Sequence, residues 1–359
     1  MKLAVFSSIA LAISLSLSAC ASSSEREVEA VGLADGVALP ARAGTILVDG
    51  CILDSWQQAT LDNAATHKVV QEVVFLCLVP RLDGTVGPRD PSALAALGTL
   101  TQKLQAQGYR VHIAISFTDE SGQRYDGEQT SNFLASPAWR TRLVTSLPPL
   151  LGTAQGVEID LQFLPNSAAN DVTSLVTELS NAIRPGRTLG IFVPPSVTSP
   201  SDIAGGDAFT RRSLAPYVDR MRIMTLDYSA RPGPTIDPGW AVDAVRFAAN
   251  GGGNVDIAYP LYGTDFGPGG RRSVTYTEAV GVSEIYRVPI QRGPTAAPYV
   301  TYTGVAGDAH DLWFDDAEST GRALAAWTPA VLPPTVGILF YGLGAEDPTL
   351  FEKLAARMP

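Results

Sequence analysis

Histidine and cysteine are scarce in this chain, and each scarcity excludes a class of chemistry. The three histidines (His67, His112 and His310) show no metal-ligand spacing, so no metal site is expected, and no cofactor is implied. Of the three cysteines, Cys51 and Cys77 fall in the first two strand-like segments. There a disulfide and two buried thiols on opposite faces stand as equal alternatives. Basic charge is also short: 26 Lys and Arg face 36 Asp and Glu, for a net charge of −10. That balance argues against nucleic acid and anionic lipid headgroups as partners and leaves neutral glycans compatible. Long hydrophobic runs are missing as well. The apolar stretch over 3–17 is shorter than the roughly 20 residues needed to span a bilayer.

That stretch, preceded by Lys2, reads instead as a signal peptide over 1–19. It ends LSAC at Cys20, and small residues before a cysteine resemble a bacterial lipobox, whose thiol is acylated after cleavage. Residues 20–43 are small, polar and acidic without a sustained period. They read as a lipidated cysteine and a flexible tether. The expected location is the cell envelope, with membrane attachment through Cys20. No Asp follows Cys20, which favours the outer over the inner membrane in a Gram-negative host.

From 44 to 359, Val/Ile/Leu-dense runs of strand length alternate with helical stretches. Strands are predicted over 45–53, 73–79, 110–117, 156–163, 188–193, 221–226, 255–260 and 336–341. Their near-continuous apolarity suits strands buried on both faces, and helical crossovers between them give a (β/α)8 TIM barrel of the α/β class. The alternation pauses over 264–312, where two strand-like pieces (273–276, 299–303) and a helix-like one (277–285) predict a small α+β insertion between strands seven and eight. Active sites of such barrels form at the C-terminal strand ends. The residues there are Asp54, Thr118 to Glu120, Asp160 to Phe163, Pro194 to Ser196, Asp227, Tyr228, Tyr262 and Tyr341. Aromatic faces with a few acids suit a sugar cleft, because rings stack on pyranose C–H faces while hydroxyls need fixed acceptors.

Five segments, in order, carry a resemblance: QGVEIDLQ at 155–162, MTLD at 224–227, YPLYGTDF at 259–266, LWFDDAES at 312–319 and YGLGAEDP at 341–348. The first is similar to the D-G-x-D-x-D-x-E signature of glycoside hydrolase family 18, and the others to that family's later strand-end motifs. The strand-seven and strand-eight segments, 259–266 and 341–348, look most like its spore-germination and cortex-lytic branch. The resemblance implies substrate-assisted retention, in which the N-acetyl oxygen of the sugar attacks C1, a Glu protonates the leaving oxygen and an Asp two residues earlier holds the acetamide. On this pattern Asp160 is the acetamide holder, Asp227 a second cleft acid, and Glu158, Tyr228, Tyr262 and Tyr341 substrate contacts.

The chain departs from the pattern at the acid itself, which is Gln162. An amide has no dissociable proton near neutral pH, and general acid catalysis is worth roughly 10²–10⁴-fold. Gln155 and Glu158 replace two family aspartates, and Leu226 replaces a tyrosine; alternation would put Tyr228 on the face of Leu226. Three readings result. The first is a barrel that binds an N-acetylated glycan, of peptidoglycan or chitin type, with hydrolysis lost or residual. The second is an active glycosidase or transglycosylase with its acid relocated to Asp119, Glu120 or Asp227. The third is a protein-interaction scaffold.

Overall fold

The computed structural model describes residues 38–119 and 124–359. The expected signal peptide, Cys20 and Glu120 lie outside them. Eight parallel strands form the barrel: β1 (Gly44–Val48), β2 (Glu72–Pro80), β3 (Arg110–Ser116), β4 (Gly156–Asp160), β5 (Thr188–Val193), β6 (Arg220–Ile223), β7 (Val255–Pro260) and β8 (Gly337–Tyr341). Strand β1 pairs with both β8 and β2, which closes the ring. Helices such as Leu94–Ala106, Ala169–Ile183 and Pro238–Ala249 cover the outside. The Pro238–Ala249 helix starts where the Asp-Pro pair predicts a start: Asp237 accepts from the backbone N–H of Trp240, and Pro238 occupies the first turn.

Several strands end sooner than their apolar runs. Strand β4 stops at Asp160, and Phe163 has φ 56°; β6 stops at Ile223, and Asp227 has φ 55°. A left-handed residue ends an extended run whatever its hydrophobicity. The expected tether also ends earlier. Within 38–43, Leu39 donates its N–H to the Arg357 carbonyl, and the buried Arg42 guanidinium donates to the carbonyls of Trp327, Leu332, Pro333 and Val336. A lone arginine in a polar stretch reads as solvated, but here it ties the chain to the bottom of the barrel. The extended segment Val86–Pro88 folds back antiparallel on β2, a hairpin with no periodic signal.

The barrel interior is layered by strand alternation. The lowest layer is charged: Arg222 lies between Glu72, Glu158 and Asp256, and His112 Nδ1 is 2.9 Å from Glu158. Glycines make room for it. A Cβ on Gly190 would lie 1.9 Å from the Glu158 carboxylate, and one on Gly156 would lie 2.5 Å from the His112 ring. Above it Leu47, Val74, Ala114, Phe192, Ala258 and Leu339 form an apolar layer that separates these charges from the upper mouth.

The insertion between β7 and β8 is larger in strand content than expected. It is a five-stranded antiparallel sheet in the order Gly270–Val274, Gly263–Gly267, Ala309–Trp313, Pro298–Thr303, Gln291–Arg292, with helix Tyr276–Tyr286 packed on it. The missed strands are short and mostly polar on their exposed faces, so they lack an apolar run. Cys51 and Cys77 are disulfide-bonded, with Cα atoms 4.7 Å apart. The bridge ties the loop after β1 to β2.

Candidate active site

Strand β4 presents Asp160 as its last residue. Its Oδ2 accepts from Ser116 Oγ at 3.0 Å and from the Tyr125 phenol, and its Oδ1 accepts from Gln162 Nε2 at 3.1 Å. Burial pushes the Asp160 carboxyl up from its ordinary range; its hydrogen-bond donors, Tyr125 foremost, and nearby Arg89 pull the other way without cancelling the rise. Three donors fix the carboxyl rigidly at the barrel mouth. Tyr125 comes from the loop after β3, held there by an antiparallel bridge between Thr118 and Tyr125. Burial, then the Asp160 charge, push its phenol well up, so it stays a neutral donor.

Across the mouth, the rings of Tyr262 and Tyr341 meet edge to face, with centroids 6.1 Å apart. The Tyr262 hydroxyl donates to Asp227 Oδ1 at 2.9 Å, and Arg271 Nη2 lies 3.0 Å from the same oxygen. Burial raises the Tyr341 phenol, and the charges of Asp49, Asp160 and Asp227 add to the rise. The charges of all three acids are thus felt at one ring. Asp49 itself is paired with Arg89 at 2.7 Å. The mouth thus combines a buried, triply hydrogen-bonded carboxyl, three phenols and two arginine–aspartate pairs. Chemically, Asp160 can accept an N–H, and the side chain beside it, Gln162, can donate or accept a hydrogen bond but not give up a proton.

Other expected residues lie elsewhere. Glu158 does not reach the cleft. It shares the inner face with Asp160 but sits one layer lower, fully buried against His112 and Arg222; residues i and i+2 on a strand share a face at different depths. Tyr228 is not on the face of Leu226. The left-handed turn at Asp227 breaks the alternation, so Leu226 packs on the apolar inner layer while Tyr228 is half-exposed against Trp240, centroids 5.1 Å apart. Asp54 is a helix cap, accepting from the N–H of Gln57 in a capping box. Asp119 is exposed beyond the Thr118–Tyr125 bridge.

The charged layer brings Glu72, His112 and Glu158 within 4.8 Å of one another, with the donor types of a metal site. Arg222 Nη2 already lies on both carboxylates, 2.8 Å from Glu158. The guanidinium supplies the cation that such a cluster needs.

Sequence reasoning passed over Asp49, Arg89, Tyr125 and Arg271. Alternation from Thr45 and Leu47 points to Asp49. The other three come from a hairpin, a loop and the insertion, none of which has a period to follow.

No profile of a known protein family matches the chain. It is 22% identical over 272 residues to the cortical fragment-lytic enzyme of Bacillus anthracis, covering 71% of this chain and 61% of that protein. The chain spans about 54–61% of the length of the curated relatives it matches. Among solved structures it superposes on the spore cortex-lytic enzyme SleL of Bacillus cereus with a TM-score of 0.72 and 17% identity, covering 89% of this chain and 75% of that one. A class V chitinase from Nicotiana tobaccum, solved as a glutamate-to-glutamine mutant in complex with NAG4, gives a TM-score of 0.67 at 14% identity, covering 88% and 98%.

Proposed function

We propose, on the premise that the chain has a glycoside hydrolase family 18, chitinase-like fold, that its cleft binds an N-acetylated glycan and that hydrolysis is lost or residual. The observation that carries this reading is the contact between Gln162 Nε2 and Asp160 Oδ1 at 3.1 Å. The acetamide-holding residue is present, and an amide occupies the place of its acidic partner. The tobacco mutant has a glutamine in place of a glutamate and holds NAG4, in keeping with sugar binding by a barrel of this fold that lacks one of its glutamates. The cortex-lytic names of the other relatives favour peptidoglycan-type strands as the ligand.

The same reading places the protein in the cell envelope, lipid-anchored through Cys20, with the outer membrane favoured in a Gram-negative host. Leu39 and Arg42 dock the incoming chain at the end of the barrel opposite Asp160.

Titration calorimetry with chitotetraose and with muropeptides tests the reading. The wild-type protein binds at least one of them, and Asp160→Ala weakens that binding roughly 10- to 100-fold, the worth of a hydrogen bond to a buried charged or polar group. Wild-type protein that binds neither sugar, or binding indifferent to Asp160→Ala, would return the barrel to the role of a sugar-blind scaffold.

A further inference from the structure

Arg271 belongs to the insertion, on the outer edge strand Gly270–Val274, which is turned to solvent up to the buried Val274. Its side chain nevertheless reaches the barrel mouth. Nη2 is 3.0 Å from Asp227 Oδ1, and the guanidinium lies over the Phe266 ring at 5.7 Å from its centroid. The pair is open to solvent, with Arg271 38% and Asp227 54% exposed. A guanidinium has five N–H donors in a fixed fork that matches a carboxylate, and the Asp227 contact uses only one edge of it. Through Asp227 and Tyr262, Arg271 stands next to the Tyr262–Tyr341 ring pair and across the mouth from Asp160. A chain with net charge −10 has thus placed a cation with unused donors at the rim of the barrel mouth, held over an aromatic ring.

We propose that Arg271 reads a carboxylate on the glycan, so that the ligand is an acidic N-acetylated strand, in which a hexosamine has an ether-linked carboxylic acid as in muramic acid, rather than a neutral chitin-type oligomer. The proposal rests on the glycan-binding reading above and narrows it. The acid enters by sharing Arg271 with Asp227, so the cost of displacing that contact is small for an exposed pair.

Calorimetry at low ionic strength, with a peptide-free tetrasaccharide of alternating N-acetylglucosamine and N-acetylmuramic acid and with the methyl ester of the same sugar, separates the cases. The free acid binds wild-type protein about five- to tenfold tighter than the ester, in line with an exposed charge-assisted bond. The preference shrinks as salt rises, Arg271→Gln abolishes it, and Arg271→Lys keeps part of it. Equal binding of acid and ester by the wild type overturns the proposal while leaving glycan binding intact. A preference that survives in folded Arg271→Gln overturns the assignment to this residue. Absence of binding to both sugars and to chitotetraose removes the underlying reading instead. The wild-type comparison needs no variant, so a misfolded Arg271→Gln does not stall the test.

Discussion

Replacing Arg222 with methionine should cost at least 3–5 kcal/mol of folding stability, the range for removing one partner of a buried ion pair. Arg222 is 1% exposed and is the cation shared by Glu72, Glu158 and Asp256, all at or below 4%. Methionine has similar bulk and no charge, so it takes the shared central cation from three buried carboxylates and leaves them only His112 and the more exposed Arg110 and Arg220. The pH dependence gives a second, sharper signature. Burial pushes the Glu72 carboxyl up, but Arg222, His112 and Arg110 outweigh it and bring it down from 4.5 to about 2. A depressed carboxylate pKa stabilises the folded state above about pH 4.5, and that stabilisation drains away as the pH falls towards 2. In Arg222→Met the carboxylates lose the cation they share, and protonation relieves their mutual repulsion. The stability gap between wild type and variant should therefore narrow between pH 4.5 and 2. Urea melts across that range check both points; a loss below about 1 kcal/mol at pH 7 would mean that the charged layer is not what holds the lower barrel.

Changing Gln162 to glutamate should create a measurable hydrolytic activity. The new carboxyl would lie where Nε2 now sits, about 3 Å from Asp160 Oδ1. Two carboxyls at that distance share a proton, which raises the pKa of one of them and places an acid beside Asp160. A positioned general acid is worth roughly 10²–10⁴-fold. The gain here should stay near tenfold, below that range, because Leu226 packs on the apolar layer and offers no hydroxyl at the position where the motif it resembles has a tyrosine. Release of reducing ends from chitotetraose and muropeptides is the readout. A variant that binds sugar yet remains silent would show that the cleft has diverged beyond its proton donor.

The barrel was legible in the sequence because its strands are buried on both faces and its helices announce their caps, as at Asp237 and Pro238. The position of Asp160 beside Gln162 was legible for the same reason: two residues apart on a strand fixes a common face. Depth was not. Alternation says which way Glu158 points but not that a layer of Leu47, Val74 and Ala114 separates its charge from the mouth. Nor does alternation extend past a strand end, which is why Tyr228 left its expected face once Asp227 took a positive φ. The residues that complete the site from outside the strands, Tyr125 and Arg271, are positioned by tertiary contacts alone. The insertion was underestimated because short antiparallel strands with one wet face carry little apolar signal.

On the function proposed above, this cleft holds an N-acetylated sugar without cutting it. Its most direct test puts wild-type protein, at a concentration where calorimetry shows the sugar bound, with chitotetraose and with muramyl strands, and follows reducing ends over hours. Occupied sites with no release above the uncatalysed background is the predicted result. Turnover at the rates of ordinary enzymes, about 1 s⁻¹ or faster, would contradict it and would mean that another group donates the proton.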